Sequence, residues 1–276
     1  MLPNPNYRNK SLDFWANVKL LSQHIGYTDR KTQSIKIPTA EEILTVYDKL
    51  RFSKQKIVTH KNDPSRYLND LLEYFDYRAI LLNHTVKNNL MDEIQAKKEF
   101  DLLRKKVKST CPIPMNKQKG KKRAPAFFTG MINMLIEKNL DGEKCDYDPK
   151  ELTTFSKDSY PEIVMSRRVD GAYPSILNPK AIWEIKEYYY TTTFGSRIAD
   201  AVYESLLDGY ELNQVKQKLN INVKHYLYAD AYYTWWELGG KSYLCRIIDM
   251  LNMGYVTEVI FGKEIFQRIP IIVKDW

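Results

Sequence analysis

The chain has few of the residues that build disulfide frameworks and zinc sites. Of its 276 residues only three are cysteines, and Cys111, Cys145 and Cys245 are far apart in the sequence. No two cysteines are spaced as CxxC, and none is near a histidine at a metal-binding spacing. These absences exclude a disulfide scaffold and a zinc ribbon, and they favour the reduced thiols of a cytosolic protein.

Long apolar runs are also absent. No run approaches the roughly 20 residues that a membrane-spanning helix needs, and the first residues lack the apolar segment of a signal peptide. We therefore expect a cytoplasmic protein with no membrane partner.

Charge, by contrast, is abundant and unevenly balanced. Lysine and arginine together number 42, against 34 aspartates and glutamates, which gives a net charge of +8. Such a balance is compatible with a polyanionic partner such as nucleic acid, although many soluble proteins are equally basic. An apolar content of 43% is sufficient for a sizeable core.

The first part of the chain, residues 1–115, shows mainly helical patterns. Thr39 and Glu42 have the spacing of a capping box at the start of one helix. Pro64 is placed to begin a second helix, and a third is predicted from about residue 88 to 107. The prolines at 112 and 114 and the basic run 117–123 then break the pattern. We place a domain boundary there, between residues 115 and 116.

The second part, residues 116–276, alternates helices and strands. Helices are predicted over residues 124–138, 195–207 and 241–253. Strands are predicted over residues 163–169, 181–190, 225–235, 256–262 and 269–273. This order predicts an α/β (α+β) fold with a mixed central sheet flanked by helices, preceded by a helical N-terminal region.

One predicted strand carries two charges in an otherwise apolar segment, Ala-Ile-Trp-Glu-Ile-Lys. Side chains alternate along a strand, so Glu184 and Lys186 share one face while Trp183 and Ile185 occupy the other. If the preceding strand pairs with this one as a hairpin, Asp170 lies near Glu184. Converging carboxylates are costly unless they are neutralised. A bound Mg²⁺, with Asp170, Glu184 and the backbone carbonyl of Ile185 as ligands, would neutralise them.

Lys186 would then lie beside the attacking water and the scissile phosphate. There it could orient the nucleophile and stabilise the charge that builds on phosphoryl oxygens. A pKa lowered by a nearby metal would also let it act as a base. The alternative is an ordinary Glu/Lys pair on a surface strand, which contributes little energy.

Asp170 followed by Glu184-Ile185-Lys186 on an apolar strand resembles the PD-(D/E)xK nuclease superfamily, and most closely its type II restriction endonucleases. The resemblance covers residues 117–263. It implies a restriction-endonuclease-like core and Mg²⁺-dependent hydrolysis of double-stranded DNA, with Mn²⁺ as a possible substitute, in the cytoplasm of a prokaryote. The family often has a further acidic metal ligand on the first core helix, and Glu137, late on that helix, would take its place here.

Several side chains are candidates for contact with DNA. The basic run 117–123 is either a solvated linker or a phosphate-contacting arm, and the two arginines beside Asp170 could offset its charge or bind phosphate. Hydroxyls and an arginine follow the charged strand. The candidates are Lys119, Lys121, Lys122, Arg123, Arg167, Arg168, Thr192, Thr193, Ser196 and Arg197.

The aromatic strand 225–235 favours a role in the sheet core. Asp230 does not suit a dry core, so we also consider that its face lines a DNA cleft.

Three functions remain open. The first is a restriction enzyme that cuts both strands as a homodimer. The second is a transposition, repair or junction nuclease of the same superfamily. The third is a non-catalytic DNA-binding protein.

Overall fold

The computed structural model describes residues 1–60, 63–116, 119–120, 123–193 and 195–276, and only the backbone of Arg197. Its N-terminal region is helical, as predicted. The helices there are α1 (Pro5–Arg8), α2 (Leu12–Ile25), α3 (Ala40–Leu50) and α4 (Arg66–Ile80). The capping box of α3 is confirmed. The Glu42 N–H donates to Thr39 Oγ1 (3.2 Å), and the Thr39 N–H donates to Glu42 Oε2 (3.0 Å).

Helix α4 begins two residues after the proline that was expected to open it. Ser65 is its N-cap, because the Ser65 Oγ accepts a hydrogen bond from the Leu68 N–H (3.1 Å). The chain continues through a π-helical turn (Leu81–Val86) into α5 (Lys87–Asn89). Helix α6 (Glu93–Lys106) follows, capped by Asp92.

The second part supplies a sheet and the helices that cover it. Its helices are α7 (Phe127–Leu140), α8 (Ser196–Leu219), α9 (Lys241–Asn252) and α10 (Ile265–Ile272). Its strands are β1 (Asp146–Tyr147), β2 (Thr154–Lys157), β3 (Tyr160–Val164), β4 (Gly171–Tyr173), β5 (Ala181–Glu187), β6 (Lys224–Asp230) and β7 (Glu258–Phe261).

Five of these strands form one mixed sheet in the order β1-β4-β5-β6-β7. The pairs β1–β4 and β4–β5 are antiparallel, whereas β5–β6 and β6–β7 are parallel. Parallel neighbours need a crossover connection, and α8 and α9 supply the two that this sheet requires. Strands β2 and β3 form a separate antiparallel ribbon. The predicted mixed sheet flanked by helices is therefore confirmed.

The predicted strand over residues 163–169 is wrong. Residues up to Val164 belong to the separate ribbon, and the strand that pairs with β5 starts only at Gly171. The predicted strand over residues 269–273 is also wrong, because these residues lie in α10 and the 3₁₀ turn after it. Ile265, Ile269 and Ile272 are all buried at helical spacing, so local β-propensity yields to packing.

The two faces of the sheet pack against different helices. Trp183, Tyr226 and Tyr228 lie in one apolar cluster with α6, α7 and α10. Leu227 and Ala229 lie in a second cluster with α8 and α9. The predicted alternation is thus confirmed from Tyr226 to Ala229, and both faces are core there. The predicted strand over residues 225–235 is too long, because β6 ends at Asp230 and residues 233–237 form a π-helical turn.

Helix α6 packs on α7 through Phe100, whose ring lies 5.5 Å from that of Phe127. The N-terminal helices α2, α3 and α4 have an apolar cluster of their own. In the part of the chain that the structure describes, no helix is long and apolar enough to cross a membrane.

Candidate active site

The register between α8 and β5 places two carboxylates of the helix over the charged residues of the strand. Glu204 and Asp208 are separated by about 6 Å of helix rise. Glu184 and Lys186 are separated by about 6.6 Å of strand. Because the two spacings nearly match, Glu204 contacts Lys186, and Asp208 and Glu184 share a nitrogen of Arg167.

Asp170 lies immediately before β4 and is held against β5. Its N–H donates to the carbonyl of Trp183 (3.1 Å), and its Oδ2 accepts from the N–H of Ile185 (2.7 Å). Burial, and then the negative charge of Glu184, raise the pKa of Asp170 to about 7. The structure thus brings Asp170 to Glu184, although from the residue before β4 rather than from the end of the predicted strand over residues 163–169.

Lys186 is buried between carboxylates. Its Nζ donates to Glu184 Oε2 (2.9 Å) and to Glu204 Oε2. Burial lowers the pKa of Lys186, but the charges of Glu184 and Asp170 outweigh it and hold the pKa above its ordinary value. The lowered pKa expected for a lysine base is therefore not what this arrangement gives, and Lys186 is an ammonium at neutral pH.

Arg167 is the hub of the cluster. Its guanidinium donates two hydrogen bonds to the Glu184 carboxylate, from Nη1 to Oε1 (2.7 Å) and from Nη2 to Oε2 (3.0 Å). The same guanidinium donates to Asp208 Oδ2 (2.7 Å) and to Glu204 Oε2 (3.3 Å). Arg167 therefore neutralises the carboxylates of this site rather than standing free on the surface, while its neighbour Arg168 is exposed.

Asp208 is a fully buried carboxylate of the cluster and lies beside His225. Burial, and then the charge of Glu184, raise the pKa of Asp208 to about 8. The Nε2 of His225 lies 4.0 Å from Asp208 Oδ2, and its Nδ1 is 3.0 Å from the carbonyl of Tyr255. Burial lowers the pKa of His225. A neutral imidazole with its Nδ1 proton on that carbonyl therefore fits best.

The cluster has more acidic than basic groups. The carboxylates of Asp170, Glu184, Glu204 and Asp208 face two cations, Lys186 and Arg167. With all of them ionised the balance is −2, the charge that one divalent cation would cancel. Among the residues that the structure describes, however, no three His, Cys, Asp or Glu side chains are grouped as a ready-made metal cage.

The last residue of β5 anchors the neighbouring helix. The carboxylate of Glu187 accepts from the N–H and the Oγ1 of Thr129, both at 3.0 Å, at the first turn of α7. Burial raises the pKa of Glu187 to about 7. This bond ties the segment after the basic run to the charged strand.

Other predicted residues lie apart from the cluster. Glu137 is engaged by Ser109 and Thr110, and no contact joins it to Asp170 or Glu184 in the described part of the chain. Asp230 is fully buried, where its Oδ1 accepts from the N–H of Met91 (2.7 Å). The interpretation of its face as a DNA cleft is therefore wrong.

The remaining candidate DNA contacts are surface residues where they are described. Lys119, Arg123, Thr192, Thr193 and Ser196 are exposed. Lys121, Lys122 and the side chain of Arg197 lie outside the described part of the chain.

Sequence reasoning did not find Glu204 and Asp208 as members of the site. The helix was predicted to end at Leu207, one residue before Asp208. A signal was present, because Asp208 stands at helical spacing from Ala201, Ser205 and Leu212, which are all buried.

Comparison with known proteins identifies two domain families. A family model described as a domain of unknown function, DUF7687, matches residues 91–276. A second, described as DUF7690, matches residues 1–85. The two matches divide the chain before α6, ahead of the boundary at 115/116 that the sequence suggests. No curated protein matches the chain, and no solved structure matches it.

Proposed function

We propose that this chain, which belongs to the DUF7687 family, is a divalent-metal-dependent DNA endonuclease. Its hydrolytic site would consist of Asp170, Glu184 and Lys186. The observation that carries the proposal is the convergence of these residues on two hydrogen-bonded antiparallel strands. A surface Glu/Lys pair would be solvated, whereas Glu184 and Lys186 are only 1% and 8% exposed.

The order of elements around the site supports the same proposal. Helix α7 precedes the antiparallel strands, and α8 crosses over to β6, which is parallel to β5. A helix, antiparallel strands, a helix and a parallel strand are what the resemblance to PD-(D/E)xK nucleases implies. We therefore propose a restriction-endonuclease-like core for residues 127–261.

The donor set fits a hard divalent cation. Mg²⁺ commonly takes one or two carboxylates and completes its shell with waters and substrate phosphates, so Asp170, Glu184 and the Ile185 carbonyl would be sufficient. Binding requires Arg167 to release at least one oxygen of Glu184. When bound, Mg²⁺ would supply positive charge against the phosphate and lower the pKa of the attacking water.

The protein's own groups have separate roles in this proposal. Asp170 and Glu184 hold the cation. Lys186, an ammonium in the buried cluster, faces the scissile phosphate and stabilises its developing charge. Arg167, which also donates to Asp208, keeps the Glu184 carboxylate in place through the oxygen that it retains when the cation binds.

We propose further that the substrate is double-stranded DNA, read in a sequence-specific way as by a type II restriction enzyme. A two-fold homodimer would present one site to each strand. Exposed hydroxyls and cations are suited to contacts with the phosphate backbone of DNA. Here they are Lys119, Arg123, Arg168, Thr192, Thr193 and Ser196.

One observation favours a second candidate function, a non-catalytic DNA-binding protein. Arg167 and Lys186 together already engage both oxygens of Glu184. A cluster that satisfies itself in this way can be purely structural.

The test is digestion of a large duplex DNA by purified protein, with Mg²⁺ and with chelator, beside Lys186→Ala. We expect discrete Mg²⁺-dependent fragments from the wild type and none from the folded variant. Their mapped ends would define the recognition sequence. Cutting only of branched or single-stranded DNA would indicate a repair or junction nuclease. Binding without cleavage, over several DNAs and metals, would indicate the non-catalytic alternative.

A further inference from the structure

We infer that the carboxylate of Glu204 occupies a phosphate-binding subsite between Lys186 and Arg167, and that a substrate phosphodiester displaces it. The inference rests on the proposed function, because it names the group that the candidate site receives. It makes Glu204 a built-in competitor of the substrate rather than a metal ligand.

The position of one oxygen carries the inference. Glu204 Oε2 accepts from Lys186 Nζ, on β5, and from Arg167 Nη2 (3.3 Å), on the segment before β4. Two cations from different parts of the fold thus converge on a single anionic oxygen. Lysine and arginine are the side chains that most often bind phosphate in proteins, and their charges here point at one place.

Exposure distinguishes Glu204 from the other carboxylates that these cations contact. Its side chain is 36% exposed, whereas Glu184 and Asp208 are 1% and 0% exposed. Glu204 therefore lies on the solvent side of the cluster, from which a polymer substrate must approach. A partly exposed side chain can change rotamer in nanoseconds, so it can leave without rearrangement of the core.

Charge balance favours the same exchange. A phosphodiester and a carboxylate each have one negative charge, so replacing Glu204 by a phosphate leaves Lys186 and Arg167 as well compensated as before. Displacing Glu184 instead would leave an unpaired charge in the interior, which is costly. An entering phosphate should therefore displace Glu204.

The experiment is a calorimetric titration of the full chain with inorganic phosphate in the absence of divalent metal. Glu204→Gln should bind phosphate roughly fivefold more tightly than wild type, the change expected from removing one partly exposed charged contact. Glu204→Asp, which keeps the charge but shortens the side chain, should also bind more tightly. Asp200→Asn removes the same charge one turn earlier on α8 and should change the affinity by about twofold or less.

Two further results bear on the inference. The gain from Glu204→Gln should disappear in a Lys186→Gln background, because the subsite then lacks one cation. Unchanged or weaker phosphate binding by Glu204→Gln, or an equal gain from Asp200→Asn, would overturn the inference. So would a loss of Mg²⁺ affinity by Glu204→Gln as large as that of Asp170→Asn, since that would make Glu204 a metal ligand.

This outcome is separable from that of the proposed function. Tighter phosphate binding by Glu204→Gln in a protein that cuts no DNA would support the phosphate subsite and contradict the proposed nuclease activity. Mg²⁺-dependent cleavage by the wild type, with no gain in phosphate affinity for Glu204→Gln, would support the nuclease activity and contradict the phosphate subsite.

Discussion

Two buried clusters of charge, one at the N-terminal helices and one at the sheet, use arginine in contrasting ways. Arg78 of α4 binds both oxygens of Asp249 of α9 at 3.0 Å and donates to Ser22 Oγ at 3.0 Å. The Tyr74 hydroxyl completes this shell with a bond to Asp249 (2.6 Å). The cluster has one cation, one carboxylate and almost no exposure.

The cluster around Arg167 differs in balance and in access. Its two cations face four carboxylates, two of which have pKa values raised to about 7 and about 8. It reaches solvent through Glu204. A closed one-to-one pair joins two helices. An open cluster with more acidic than basic groups can release protons and accept a cation. Strongly shifted pKa values in such a place are typical of functional sites.

The largest effect should come from breaking the balanced cluster. Arg78→Ala would leave Asp249 buried without its cation, and we expect a loss of about 3–5 kcal/mol in the free energy of unfolding. Urea denaturation measures it. The double variant Arg78→Met, Asp249→Leu should recover most of the loss, because it leaves no charge behind. A single variant as stable as wild type would contradict this account.

Mg²⁺ should stabilise the protein through the unbalanced cluster only. At a hundred times its dissociation constant the cation should add about 2.7 kcal/mol to the free energy of unfolding. We expect Asp170→Asn to lose this gain and Asp249→Asn to keep it, with thermal melting as the measurement. A gain that survives Asp170→Asn would place the cation elsewhere.

Removing Arg167 should cost less stability than removing Arg78. Arg167 is 21% exposed, and Lys186 still pairs with Glu184 when it is absent. We expect Arg167→Gln to lose about 1.5–3 kcal/mol, the range for loss of hydrogen bonds to charged groups, because the glutamine amide can keep part of the contact. A loss as large as that of Arg78→Ala, in parallel urea titrations, would show the two clusters to be equivalent.

Per pH unit, the smallest expected effect comes from a buried carboxyl that forms no ion pair with the described residues. Burial raises the pKa of Asp230 to about 7, against an ordinary value of 3.8. Between these values the folded chain keeps a proton that the unfolded chain has released. Asp230 therefore makes stability fall as pH rises from about 4 to 7, by at most about 1.4 kcal/mol per pH unit.

Asp230→Asn should remove this dependence. Its amide oxygen can accept from the N–H groups of Met91 and Ala231, as Oδ1 does now, and its NH₂ can donate to the Tyr189 hydroxyl. Urea unfolding at pH 5, 6 and 7 should give a flatter profile for the variant. Identical slopes would show that Asp230 is ionised throughout.

The pattern of alternation along β5 was predictable, but the partners of β5 were not. Side-chain alternation correctly places Glu184 and Lys186 on one face and Trp183 on the other. Propensity could not show that residues 160–164 pair with β2 in a separate ribbon, because local sequence does not encode which strands meet.

The two site residues on α8, Glu204 and Asp208, were not predictable for a related reason. Helix α8 is 24 residues long, but the Asp208-Gly209 pair in its middle is a turn signal, so the predicted helix stops short of Asp208. Only the tertiary register with β5 shows that Glu204 reaches Lys186. The isoleucines of α10 predict a strand because β-branched residues favour strands, but their burial at helical spacing places them on a helix.

The central claim is that Glu184 belongs to a nuclease site. Its most direct test compares two buried glutamates of the same sheet, each paired with an arginine. Glu184 pairs with Arg167, and Glu258 of β7 pairs with Arg268. We would measure the initial rate of Mg²⁺-dependent cleavage of duplex DNA by Glu184→Gln and Glu258→Gln. Our account predicts a loss of about a hundredfold or more for the first and a rate close to wild type for the second. Equal rates in the two variants, or no cleavage by the wild type, would contradict it.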